Sequence, residues 1–133
     1  MKIGALKEIS TGEQRVALTP ESAIQLQKLG HECVVQKGAG SAAGFSDAQY
    51  KAVGVEVAAT AAALTKVCDV IVKVRPPSEA EIKRLSPDKT LISFFYPGAN
   101  APLMELAKSK GASVIAMDMV PRISRAQKMD ALS

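Results

Sequence analysis

The 133 residues predict an α/β domain with a doubly wound, mostly parallel sheet and helices on both faces, of Rossmann-like or flavodoxin-like type. Three observations carry that expectation. Short apolar runs alternate with capped amphipathic runs from end to end, the pattern of strand–helix–strand crossovers. The core-forming residues are aliphatic: hydrophobic residues make up 47% of the chain and aromatics 4%, as in a buried parallel sheet. The length suits one domain with one core, without disulfides or metals to hold it.

The elements follow in order. "KIGALK" (2–7) reads as the first strand and "EISTGEQRVAL" as a loop. Thr19 as N-cap and Pro20 at the first helical position open a helix, with Ala23, Leu26 and Leu29 at helical spacing and Gly30 closing it. "HECVVQ" (31–36) is the second strand; after a glycine-rich loop, Ser46 caps a short helix that ends at Gly54 and leads into "VEVA". Residues 59–67 read as an alanine-rich helix, "DVIVKV" (69–74) as a strand, and "PPSEAEIKRL" as a helix with Ser78 and Glu81 at capping-box spacing. "TLISFF" (90–95), a helix over 101–111, the strand "SVIAMDMV" (113–120) and a further helix over 124–133 complete the alternation.

Composition excludes several classes of function. The formal charge is +4, but lysines and arginines are scattered among acids and base-stacking aromatics are scarce, so a nucleic-acid partner is not expected. Cys33 and Cys68 lie in or beside apolar runs without CxxC spacing or histidine partners; they read as buried, reduced thiols of a cytosolic protein, and no metal site is expected. "MKIGALKEI" is neither a signal peptide nor a membrane span.

Candidate chemistry is sparse. Gly38, Gly40 and Gly44 follow a strand, but their spacing is GxGxxxG and a new capped helix begins at once, so they read as a surface loop rather than a phosphate cradle. Lys73 lies within "VIVKVR", where a buried ammonium needs a partner; a snorkelling lysine at the sheet edge is the competing reading. Arg15, otherwise a lone surface arginine, joins Lys73 as a candidate anion-binding pair. Tyr96 and Asp118 fall at strand ends near the expected ligand crevice, where either also suits a structural role. His31 reads as a surface or capping residue. On a helix over 124–133, Gln127, Asp130 and Ser133 share one face beside Arg122; such a face is either solvated or built to read the carboxamide and ribose of a nucleotide.

The motifs "KEI…E.RVALTP", "GAG…FSD..Y", "VIVKVRPP", "LISFFYPGAN" and "AMDMVPRISRAQKMDALS" together resemble the alanine dehydrogenase and NAD(P) transhydrogenase alpha-subunit family, from Lys2 to Ser133. "VPRISRAQ" followed by "DALS" looks like the proton-translocating transhydrogenase branch. That resemblance implies an N-terminal domain of the NAD(H)-binding component, with Arg122, Gln127, Asp130 and Ser133 contacting the nicotinamide end of NAD. It implies hydride transfer between NADH and NADP+ coupled to proton translocation. It further implies a homodimer that is peripheral on the inner, cytoplasmic face of the cell membrane and docks on membrane and NADP(H)-binding components. Alanine dehydrogenases hold pyruvate with an arginine and a lysine matching Arg15 and Lys73, and use a histidine acid/base where this chain has Tyr96. Oxidative deamination is therefore disfavoured relative to transfer between two nicotinamides, which needs no protein acid or base. Family members continue past "DALS" into a second domain with the dinucleotide fingerprint. That domain is absent from these residues, so the expectation is one wall of a cleft, inactive alone, with a non-catalytic anion- or nucleotide-binding module as the other reading.

Overall fold

A computed structural model describes residues 1–94 and 96–117, with the backbone alone for 97–101. Six parallel strands form one sheet: β1 (Lys2–Ala5), β2 (Glu32–Gln36), β3 (Glu56–Ala58), β4 (Val70–Val72), β5 (Thr90–Ser93) and β6 (Ser113–Ala116), in the order β3-β2-β1-β4-β5-β6. The helices are α1 (Pro20–Lys28), α2 (Asp47–Ala52), α3 (Ala61–Val67), α4 (Glu79–Lys83) and α5 (Pro97–Ser109), and a 3-10 turn at Ser41–Ala43 lies in the glycine-rich loop. The doubly wound sheet expected from the alternation is present.

Alternation along the strands divides the core into two layers. Cys33 and Val35 of β2, with Ala5, face α1 and α2 and pack against Leu18, Ala23 and Tyr50. Val34, Ile71 and Leu91 face the other way, against Leu64 of α3, Ile82 of α4 and Met104 of α5. The close seat of α3 on β1 depends on Gly4: a Cβ there would lie 2.5 Å from Cys68 Sγ and 2.7 Å from Leu64 Cδ2. Both cysteines are buried and free, and burial raises both thiol pKa values, that of Cys68 to about 11.

Thr19, Ser46 and Ser78 cap their helices as expected, each with its side-chain oxygen accepting from the backbone N–H three residues on. α5 is the main local difference. The sequence reading begins this helix at 101, yet it begins at Pro97, whose fixed φ and missing N–H suit the first helical position. Pro102 therefore sits inside the helix and removes one backbone donor from it. The sharp turn from β5 into α5 is made by Tyr96 in the left-handed region (φ 50°, ψ 67°), a conformation costing about 1–3 kcal/mol for a non-glycine residue.

Candidate ligand crevice at the strand-order switch

β1 and β4 are neighbours whose onward connections diverge, to β2 on one side and β5 on the other, so their carboxyl ends open the crevice where such sheets bind ligands. Lys73 leaves β4 at this point. It is buried, and β4 is an interior strand, so the snorkelling reading fails and the paired one holds. Its Nζ lies 3.1 Å from Glu8 Oε1 and 3.4 Å from Glu81 Oε2. Glu8 also accepts the backbone N–H groups of Val74 at 2.9 Å and Arg75 at 3.0 Å. Glu81 is held in place by its own helix cap, its Oε1 accepting from the Ser78 N–H at 2.7 Å. Each buried carboxylate is thus committed on both oxygens, which is the condition for keeping a charge out of water.

A second layer lies above this triad. Glu13 accepts from Arg15 three times, through the backbone N–H at 2.8 Å, Nε at 2.9 Å and Nη2 at 2.8 Å. It also accepts from Arg75 Nε at 2.7 Å. The Arg15 hydrogen bonds, joined by that from Arg75, hold the Glu13 carboxyl well below the usual carboxylate range. The Ser93 hydroxyl donates to the Arg75 carbonyl at 2.8 Å, tying β5 to the same loop.

Beside these charges is a cleft of about 390 Å³ whose walls include Arg15, Ala17, Val72, Lys73, Phe94 and Met117. Phe94 stacks on Tyr96, ring centroids 6.1 Å apart with planes 16° from parallel. Arg15 and Lys73 therefore line one cleft, as their pairing in the sequence reading requires, but the Lys73 ammonium is already held by two carboxylates. Arg122, Gln127, Asp130 and Ser133, with Asp118 and the helix expected over 124–133, lie outside the described residues.

The remaining candidates take structural positions. The Gly38 N–H donates to Asp47 Oδ1 at 2.9 Å, so this loop spends a donor on the following helix. The His31 N–H donates to the Leu26 carbonyl at 3.2 Å, closing α1. Among the described residues, no group of three or more His, Cys, Asp or Glu is placed to hold a metal, and no helix is long and apolar enough to cross a membrane. Sequence reasoning missed Glu8, Glu13 and Arg75, and read Glu81 only as a capping residue. Their one available signal is position, since Glu8 and Glu13 follow the first strand and Arg75 follows the fourth.

Fold and crevice together define a Rossmann-type α/β domain whose turn after β1 is a side-chain-lined loop over residues 6–19 instead of a glycine-rich phosphate turn. The chain belongs to the alanine dehydrogenase/PNT N-terminal domain family, whose model matches residues 4–133. It is 66% identical over its whole length to the NAD(P) transhydrogenase subunit alpha of Cereibacter sphaeroides, covering 25% of that protein. Among solved structures it is similar to a transhydrogenase from Sinorhizobium meliloti (TM-score 0.90, 37% identity, 99% of this chain and 39% of that one). It is also similar to an L-alanine dehydrogenase (TM-score 0.82, 33% identity, 88% of this chain and 32% of that one). The chain thus spans well under half the length of the relatives it matches.

Proposed function

We propose that this domain is the N-terminal part of the NAD(H)-binding component of a proton-translocating transhydrogenase, in which NADH is a substrate that gives up hydride to NADP+. The observation that carries the reading is the 66% identity, unbroken over the whole chain, to a transhydrogenase alpha subunit. Tyr96 supports it: the chain carries a phenol where an alanine dehydrogenase uses an imidazole as its acid/base. The donor set fits one end of a dinucleotide, not the whole. The crevice has apolar walls and Phe94 beside cationic groups, suited to a flat ring with a polar substituent, but no glycine-rich turn to hold a pyrophosphate.

In this reading Arg122, Gln127, Asp130 and Ser133 orient the nicotinamide, while a second domain holds the rest of the cofactor. Hydride moves directly between two rings held at attack distance, so the chain's task is positioning. The component works as a homodimer on the cytoplasmic face of the membrane, docked on the membrane and NADP(H)-binding components.

The test is a full-length alpha subunit carrying this domain, reconstituted with its partner components and assayed by single turnover. Gln127→Leu and Asp130→Ala are expected to slow hydride transfer about tenfold or more while NADH affinity changes less. Unchanged transfer in both variants overturns the site. A second reading, an alanine dehydrogenase-like domain, rests on the similarity to the L-alanine dehydrogenase structure. Pyruvate, ammonia and NADH serve as its control reaction, and appreciable alanine formation moves the assignment there.

A further inference from the structure

One half of the sheet is covered on one face and open on the other. Across β1, β4, β5 and β6 the register pairs Ala5 with Val72, Val72 with Ile92, and Ile92 with Ile115, so these four side chains form one row on the α1 side. The preceding residues Gly4, Ile71, Leu91 and Val114 form the matching row on the other side, against α3, α4 and α5. Ile71 and Leu91 are buried there. On the α1 side burial fails with distance from α1: Ala5 is buried, Val72 and Ile92 are half-buried, and Ile115 is 43% exposed.

Two cavities run along the open side. The cleft of about 390 Å³ meets a second of about 490 Å³, with Ala17 and Val72 in the walls of both, and the second continues between α1 and the sheet along Ile3, Leu26 and Leu29. Together they form an aliphatic trough beside α1. From β1 to β6 is ~14 Å at the usual strand spacing, room for one helix of ~10 Å diameter next to α1.

Handedness explains why the trough is open. From β1 to β3 the chain moves across the sheet in one direction and lays α1 and α2 on this face; from β3 to β6 it moves in the other, so right-handed crossovers lay α3, α4 and α5 on the opposite face. Among the described residues nothing covers β4, β5 and β6 on the α1 side, and no strand-to-next-strand connection in this order can. A second copy is the wrong shape, because a two-fold contact sets trough against trough and leaves both concave surfaces unfilled. A convex element fits. Its relatives have the chain to provide one, since this domain spans 25% of the Cereibacter sphaeroides subunit and 39% of the Sinorhizobium meliloti chain.

We propose that the open half-face seats an amphipathic helix from the part of the full-length subunit outside this domain, laid beside α1 with its aliphatic stripe on Val72, Ile92 and Ile115. The seat shares Ala17 and Val72 with the crevice, so the same helix completes the crevice wall. The proposal rests on family membership, and holds for a transhydrogenase or an alanine dehydrogenase-like subunit alike.

The test is iodoacetamide labelling at neutral pH of Ile115→Cys in the full-length alpha subunit carrying this domain. Val67→Cys, at the end of α3 on the other face and 45% exposed, is the control, and the native Cys33 and Cys68 are buried. In the full-length subunit Ile115→Cys is expected to label about tenfold or more slowly than Val67→Cys, whereas in the folded 133-residue chain the two should label within about threefold of each other. Equal labelling in the full-length subunit overturns the proposal. So does protection of Ile115→Cys in the 133-residue chain alone, which assigns the cover to residues 118–133, and so does protection that disappears when the full-length subunit is diluted to monomer, which assigns it to a second copy.

Discussion

Lys73 and Glu8, 65 positions apart in the chain, meet at 3.1 Å where the strand order of the sheet reverses. Their contact, with the two backbone N–H groups that Glu8 also accepts, binds the loop after β1 to the loop after β4 and sets the floor of the crevice. Removing one partner strands a buried charge. Glu8→Ala is expected to lower the unfolding free energy by about 3–5 kcal/mol, read from urea denaturation midpoints. The double variant Glu8→Ala with Lys73→Met should recover part of that loss; strictly additive losses would show that the two groups are not coupled.

Glu13 should make part of the domain's stability acid-sensitive. Its folded pKa is depressed below the ordinary value of 4.5, chiefly by the Arg15 hydrogen bonds. Its contribution is therefore complete above the unfolded pKa and is lost as pH falls through the lower folded value. Thermal melts of Arg15→Gln are expected to show a shallower decline than the parent between about pH 5 and pH 3. Parallel curves would mean that Arg15 does not set this titration.

Tyr50 is fully buried and its hydroxyl donates to the Leu18 carbonyl at 2.6 Å, joining α2 to the loop before α1. Tyr50→Phe leaves that carbonyl buried without its donor and should cost about 1–3 kcal/mol in chemical denaturation. Burial, with Asp47 nearby, pushes the phenol up to about 12. Ultraviolet titration should therefore show this tyrosine ionising only near that pH or on unfolding.

Gly4→Ala places a methyl against Cys68 Sγ and Leu64 Cδ2 and is expected to destabilise by about 1–3 kcal/mol. Adding Cys68→Ala removes the nearer of the two clashes and should restore part of the loss, measured by the same denaturation. In the parent chain neither cysteine should react with iodoacetamide at neutral pH until the fold opens, since both are buried and their thiol pKa values are raised.

Local chemistry determined much of this protein directly. The caps at Thr19, Ser46 and Ser78, the alternation through "ECVVQ" and the aliphatic composition each act within a few residues, and they led to the doubly wound sheet that the structure has. The need of Lys73 for a partner was legible too, because a cation in an apolar strand is costly wherever that strand lies. Who the partner is was not. Strand order places Glu8 beside residues 73–75, the capping box turns Glu81 toward the same ammonium, and the fold of the loop over 6–19 brings Arg15 and Arg75 onto Glu13. The start of α5 at Pro97 and the left-handed turn at Tyr96 were likewise decided by the connection from β5, and not by the sequence, which read the helix from 101. Capping and periodicity are short-range and can be read from neighbouring residues, whereas a charge finds its partner across loops, which only the closed sheet brings together.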